Sequence, residues 1–105
     1  MEQPGMQSLA PGLFLDQRRP ALIQQGRVIP LTQAEYRLLS ALVRRAGMPL
    51  TRRELVDAAR GEDSPTGERA VDVYVAALRS KLAPHAGLIE TVRGVGYQFR
   101  PDRIR

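Results

Sequence analysis

The sequence predicts an α+β fold in which an N-terminal antiparallel β-meander leads into a three-helix core and a C-terminal β-hairpin. Three observations predict this arrangement. Short apolar runs separated by turn formers fill the first third of the chain, two capping patterns and an apolar stripe at helical spacing follow, and glycines interrupt the last apolar stretch. With 105 residues, the chain is long enough for one core and too short for a second.

The net charge and the low counts of cysteine and histidine limit the functions that the chain can have. Lysine and arginine outnumber aspartate and glutamate by 16 to 11, so the formal net charge is +5 and we expect a polyanionic partner. The chain has no cysteine and one histidine, His85. These counts exclude disulfides, thiolate metal sites and metal sites built from several histidines. We therefore predict no catalytic residue, no metal site, no cofactor and no enzymatic activity.

The apolar segments are short. None approaches the roughly 20 residues that a membrane-spanning helix needs, and the first residues lack the basic and apolar regions of a secretory signal. We therefore expect no membrane partner and a cytoplasmic location, with which the absence of cysteine from the sequence agrees.

Residues 1–12 contain two prolines, two glycines and no periodic apolar pattern, which predicts a flexible tail or the end of an interdomain linker. The domain is predicted to span 13–100, with a C-terminal tail at 101–105. Its first part alternates apolar runs with turn formers, as is typical of a small antiparallel meander. The apolar runs are 13–15, 21–23 and 27–29.

Two threonines mark the starts of the first two helices. Each is followed three residues later by glutamate, the spacing of a capping box, in which the two residues exchange side-chain to backbone hydrogen bonds. The pairs are Thr32 with Glu35 and Thr51 with Glu54. They predict a first helix over 33–45 and a shorter second helix over 52–59.

A third helix is predicted over 68–82, after a polar loop that runs from Arg60 to Gly67. Its buried face is identified by an apolar stripe at helical spacing, formed by Val71, Val75, Leu78 and Leu82. The remaining positions then face outward or lie on the flanks. The outward face comprises Arg69, Val73, Ala76, Ala77 and Ser80, and the flanks comprise Asp72 with Arg79 on one side and Ala70 with Tyr74 on the other.

The last apolar stretch, 88–99, fits a β-hairpin whose tip contains Arg93, Gly94 and Gly96. We predict that the glycines serve turn geometry and close backbone approach. Arg93 is interpreted as a minor-groove contact rather than a solvated turn residue, since a plain turn needs no cation. Three helices followed by such a hairpin constitute a winged helix-turn-helix, whose third helix is placed to enter the major groove of DNA.

Four motifs in a fixed order sharpen this prediction. They are LTxxEYRLL at 31–39, TRxEL at 51–55, RxVDVYVxxLRxKL at 69–82 and TVRGVGYxF at 91–99. Together they closely resemble the effector domain of OmpR/PhoB-type two-component response regulators, over about residues 13–100. The resemblance implies a bacterial phosphorelay transcription factor whose third helix reads the major groove of double-stranded promoter DNA while the wing touches the minor groove and the backbone.

The resemblance also implies partners beyond DNA. A receiver domain is expected upstream in the parent chain, so the sequence is interpreted as an excised domain, with a natural stand-alone protein as the alternative. The loop from Arg60 to Gly67 matches the segment that contacts RNA polymerase in the family, and its alternative is a solvated connector. Two copies are expected on repeated half-sites.

The helix phase and the resemblance together give the candidate DNA-contacting residues. They are Arg69, Ala70, Val73, Tyr74, Ala76, Ala77, Arg79, Thr91, Arg93 and Tyr97. The sequence departs from the family at Ala76 and Ala77, where basic or polar side chains are frequent, and at Arg60, where tryptophan is usual. We therefore expect Val73 and the alanines to contact thymine methyl groups, together with readout of DNA shape.

Several candidates have a second interpretation. Arg79 either contacts a phosphate, or pairs with Asp72 or is merely a solvated surface residue. Tyr74 either touches the DNA backbone or covers the edge of the core. Thr91 is either a backbone contact or an ordinary strand residue. Tyr97 is expected to be partly buried, with its hydroxyl free to reach a phosphate.

Two other functions stay open. The outward face of Val73, Ala76 and Ala77 would also suit a winged-helix module that binds protein. The same fold would also serve as the DNA-binding domain of a regulator that has no phosphorelay.

Overall fold

The computed structural model describes residues 5–61 and 67–101 and shows two antiparallel sheets packed with three helices. The first sheet is a meander of β1 (Met6–Ala10), β2 (Leu13–Asp16), β3 (Ala21–Gln24) and β4 (Arg27–Pro30). The elements that follow are α1 (Gln33–Arg44), β5 (Leu50–Thr51), α2 (Arg52–Ala58), α3 (Glu68–Leu82), a 3₁₀ segment (Ala83–Leu88), β6 (Ile89–Val92) and β7 (Gly96–Phe99). The predicted winged helix-turn-helix is confirmed, and α3 has the predicted bounds.

The prediction of a tail over residues 1–12 is wrong where Met6–Ala10 form β1. This strand pairs antiparallel with β2, and Gly12, at a φ of 76°, provides the left-handed turn between them. β1 escapes a search for periodicity because it depends on pairing with β2 and buries only its last two residues, Leu9 and Ala10. Residues 1–4 and most of the predicted C-terminal tail, 102–105, lie outside the described residues.

Both predicted capping boxes form, and the first one has a second role. Thr32 Oγ1 accepts a hydrogen bond from the Glu35 N–H at 3.1 Å, and Glu35 Oε1 accepts one from the Thr32 N–H at 2.8 Å. Thr51 and Glu54 repeat the pattern at the start of α2. The Glu35 carboxylate is buried and also pairs with Lys81 Nζ at 2.7 Å. The residue that caps α1 therefore also ties this helix to α3.

The core lies between the inner face of the meander and the inward faces of the helices. α3 contributes its predicted stripe, and all four side chains are fully buried: Val71, Val75, Leu78 and Leu82. The burial of this stripe determines which side of α3 faces outward. None of the helices within the described ranges has the length and apolar character needed to cross a membrane.

The sheet that contains the C-terminal hairpin has one more strand than the sequence predicts. Strand β5 pairs with β7, so the second sheet has the order β5-β7-β6. A Cβ on Gly96 would lie 2.1 Å from the carbonyl oxygen of Leu50, a separation that requires glycine. The prediction of close backbone approach at Gly96 is therefore confirmed, and β5 attaches the wing to the start of α2.

Candidate nucleic-acid interface

Beyond Arg69 at its start, the outward face of α3 consists of short side chains. Val73 is 68% exposed, Arg69 and Ala76 are exposed, and Ala70 and Ala77 are half-buried. The helix phase predicted from the sequence is confirmed by this distribution. Because valine and alanine extend little from the backbone, another molecule can approach this side of α3 closely.

The tip of the wing presents a single arginine. The Val95 N–H donates to the Val92 carbonyl at 2.9 Å, and Gly94, at a φ of 80°, completes the turn. The prediction that Gly94 serves turn geometry is therefore confirmed. Arg93 is exposed, and within residues 5–61 and 67–101 no acidic side chain pairs with its guanidinium. Its charge is therefore directed to solvent at the end of the hairpin.

Tyr97 differs from expectation. It is 5% exposed, and its hydroxyl is not free, because it donates to Asp72 Oδ1 at 2.5 Å. Asp72 also pairs with Arg52 Nε at 2.9 Å, and the Arg52 guanidinium lies 5.2 Å from the centre of the Tyr97 ring. The fold thus joins α2, α3 and β7 through three polar side chains.

This contact shifts the titration of both hydrogen-bonded groups. The hydrogen bond from Tyr97 lowers the pKa of Asp72, and Arg52 adds to the effect, while partial burial opposes it. Burial, followed by the bond to Asp72, raises the pKa of Tyr97. Asp72 is therefore a carboxylate and Tyr97 a neutral phenol at neutral pH.

Arg79 is directed at the wing. Its Nη2 donates to the Ile89 carbonyl and to the Thr91 hydroxyl, each at 2.8 Å, and its guanidinium lies 5.5 Å from the centre of the Tyr97 ring. The expected alternative pairing with Asp72 is wrong, since Asp72 is bound to Arg52 and Tyr97. Thr91 is exposed on β6, and its hydroxyl accepts from Arg79.

Tyr74 lies on the flank of α3 and is partly buried against the hydrophobic core. The structure therefore agrees with its interpretation as a residue that covers the edge of the core. Contact with the DNA backbone stays a prediction for this residue.

The predicted polymerase-contacting loop lies largely outside the described residues, which stop at Gly61 and resume at Gly67. At its described edge, Arg60 pairs with Asp57 at 2.7 Å. A Cβ on Gly61 would lie 2.0 Å from Arg37 Nη1, so glycine leaves room there for the Arg37 side chain. The arginine that replaces the family's tryptophan is therefore held on the surface of α2.

Sequence reasoning missed the role of Arg52. The residue is visible in the motif at 51–55, but its partners are separated from it by 20 residues in one case and lie on β7 in the other. No local pattern connects such positions. Among the described residues, no group of three or more acidic or histidine side chains is arranged to hold a metal ion.

The chain is similar to known transcriptional regulatory proteins. The family described as transcriptional regulatory protein, C terminal, matches residues 26–99. Response regulator ArlR of Staphylococcus saprophyticus is 37% identical over 91 residues, which cover 85% of this chain and 41% of that protein. The nisin biosynthesis regulatory protein NisR of Lactococcus lactis is 38% identical over 87 residues, which cover 82% and 37% of the two chains.

Solved structures agree with the sequence relatives. The DNA-binding domain of Klebsiella pneumoniae RstA, in complex with the RstA box, superposes with a TM-score of 0.73 at 31% identity, covering 91% of this chain and 97% of that one. The match to this excised domain is nearly complete, whereas the chain spans about two fifths of the length of ArlR and NisR.

Proposed function

This chain belongs to the family of transcriptional regulatory protein C-terminal domains, and we propose that it binds promoter DNA as the effector domain of a two-component response regulator. In this proposal α3 enters the major groove and the wing reaches the adjacent minor groove. The domain acts without a cofactor and performs no covalent chemistry. It works in the cytoplasm, where the promoter is.

One observation carries the proposal: α3 turns a face of short, exposed side chains outward, between an arginine at its start and an arginine at the wing tip. Arg69 and Arg93 are both exposed, and neither forms a direct salt bridge with another described residue, although the charge of Arg69 contributes to lowering the pKa of Asp72. A DNA duplex has phosphates on both edges of its groove. Two cations that flank a helix face of short side chains are therefore placed to contact these phosphates when the helix enters the groove.

The side chains on α3 support a particular kind of readout. Val73, Ala70, Ala76 and Ala77 carry methyl groups and no hydrogen-bonding atoms, so they cannot read guanine as arginine does. They can pack against the C5-methyl group of thymine, the apolar feature of the major groove. Arg93 adds a preference for the narrow minor groove of A·T-rich DNA. Thr91 and Tyr74 are proposed as contacts to the sugar-phosphate backbone.

Response regulator ArlR and the regulatory protein NisR are each matched by this chain over about two fifths of their length. We therefore propose that a receiver domain precedes this domain in the parent protein and that phosphorylation there controls how two copies occupy repeated half-sites. The loop from Arg60 to Gly67 is proposed to contact RNA polymerase.

Selection from a random duplex pool tests the function. The domain is expected to retain duplexes enriched in repeated, thymine-containing half-sites at modest ionic strength. Val73→Asp is expected to abolish retention, because it places a carboxylate against the groove. It should leave the thermal midpoint nearly unchanged, because Val73 is 68% exposed. Arg53→Ala, which removes an exposed charge from α2, is the matched control.

A second candidate is favoured by the same apolar face. A winged-helix module that binds protein would use Val73 and Ala76 as its contact surface. It would show no retention of duplexes and would form a complex with a protein partner that Val73→Asp disrupts.

Retention of duplexes without enrichment of any sequence would instead indicate a domain that binds the DNA backbone and depends on its parent chain for specificity.

A further inference from the structure

We propose that Arg79 is a positioning residue that holds the wing in a fixed place relative to α3, so that Val73 and Arg93 engage one stretch of DNA together. The inference rests on the proposed function and deepens it. It assigns to Arg79 a role within the protein in place of a direct phosphate contact.

The donors of Arg79 point into the wing. Nε and Nη2 donate to the Ile89 carbonyl at 3.2 and 2.8 Å, and Nη2 donates to the Thr91 hydroxyl at 2.8 Å. Both acceptors lie on β6, the edge strand of the second sheet, which leads directly to Arg93. Thr91 is two residues from Arg93, so the contact acts close to the tip.

A second set of contacts holds β7 to the same helix. The Tyr97 hydroxyl donates to Asp72, which also pairs with Arg52. Asp72 and Arg79 are seven residues apart on α3, which corresponds to about 10 Å along the helix axis. Two anchor points at this separation prevent the wing from pivoting, as it could about a single contact.

The guanidinium group is needed for this role. Its planar fork donates to the carbonyl and the hydroxyl at once and also lies over the Tyr97 ring at 5.5 Å. A lysine ammonium would keep the charge but could not reproduce this set of contacts. A wing that is fixed before binding loses less conformational entropy when both DNA-contacting elements dock.

A variant that keeps the charge of Arg79 but loses the hydrogen-bonding geometry of its guanidinium tests the inference. Arg79→Lys and Arg79→Ala are each expected to weaken binding to a selected duplex about tenfold, because both lose the fork. Arg53→Lys, an exposed arginine on α2, is the control and should bind like the unmodified domain. Amide hydrogen exchange without DNA should be faster at residues 91–96 in both Arg79 variants, while exchange in α1 stays unchanged.

A double-mutant cycle separates positioning from a general loss of stability. If Arg79 positions Arg93, the cost of Arg93→Ala should be large in the unmodified domain and nearly absent in the Arg79→Lys background. Tyr97→Phe removes the bond to Asp72 but keeps the ring under both guanidinium groups. In the Tyr97→Phe background, Arg93→Ala should therefore cost less affinity than in the unmodified domain, but more than in the Arg79→Lys background.

Two results would overturn the inference alone: Arg79→Lys binding like the unmodified domain, as a direct phosphate contact predicts, or additive effects of Arg79→Lys and Arg93→Ala. Failure of the unmodified domain to bind any duplex would overturn the proposed function and this inference with it.

Discussion

Val73 is exposed at the centre of α3 and has no polar atom in its side chain, so whatever it recognises is recognised by shape and apolar contact. The same is true of Ala76 and Ala77 beside it. A helix with these residues distinguishes bases through methyl groups, because thymine carries one in the major groove and cytosine does not. Its specificity is therefore tested by changing the DNA one methyl group at a time.

Replacing thymine by uracil in a selected half-site removes the methyl group and leaves base pairing intact. Each contacted position is expected to lose about fourfold in affinity, since burial of one such group stabilises by about 0.8 kcal/mol. Titration of singly substituted duplexes measures the loss, with uracil outside the half-site as control. Equal affinity for all the duplexes would contradict methyl readout by Val73 and its neighbours.

Asp72 makes stability depend on pH. Its pKa in the folded state is lowered, first by the bond from Tyr97, so the unfolded state binds more protons as the pH falls through the ordinary carboxyl range. The stabilisation is therefore present at neutral pH and is lost as the pH falls through and below the ordinary carboxyl range. Asp72→Asn should lower the urea midpoint at pH 7 and show a shallower loss on acidification. If Asp72→Asn loses stability with falling pH as steeply as the unmodified domain, the acid sensitivity comes from Asp16 and Glu54, whose pKa values are also lowered.

Helix α3 could be predicted from sequence to its ends because its evidence is local. Its stripe repeats within one helix, Gly67 precedes it and Pro84 follows. The short strands β1 and β5 could not be predicted, since each depends on a partner strand elsewhere in the chain. The same reason applies to the candidate site: the outward face of α3 follows from its period, whereas the contacts of Arg79 and Tyr97 exist only after folding.

The start of α1 joins helix formation to the packing of the three helices. Thr32→Ala removes the acceptor for the Glu35 N–H and is expected to lower the free energy of unfolding by about 1 kcal/mol. Thr32→Ser keeps the hydroxyl and should retain most of that stability. Urea titration compares the two variants. Equal losses would show that the threonine methyl group, and not the cap, stabilises this end.

The net charge of +5 attracts DNA to the molecule as a whole, but it does not by itself say which arginines touch phosphates. Many arginines are occupied by neighbours. Arg18 and Arg19 pair with buried Asp16, Arg60 pairs with Asp57, and Arg52 pairs with Asp72. Arg69 and Arg93 form no direct salt bridge within the described ranges and lie on α3 and at the wing tip. Arg27 and Arg44 also form none, but they lie on β4 and α1. Phosphate contacts are therefore expected to concentrate on the side of the molecule formed by α3 and the wing.

The dependence of affinity on salt separates local contact from overall charge. Arg69→Ala should reduce the slope of log K against log salt concentration by about one, because one phosphate contact and its released counterion are lost. Arg44→Ala removes the same charge from the last turn of α1 and should leave the slope unchanged. Binding is measured on one duplex over a range of salt concentrations. Equal reductions for the two variants would mean that the domain attracts DNA through its net charge alone, and the assignment of the interface to α3 would then be wrong.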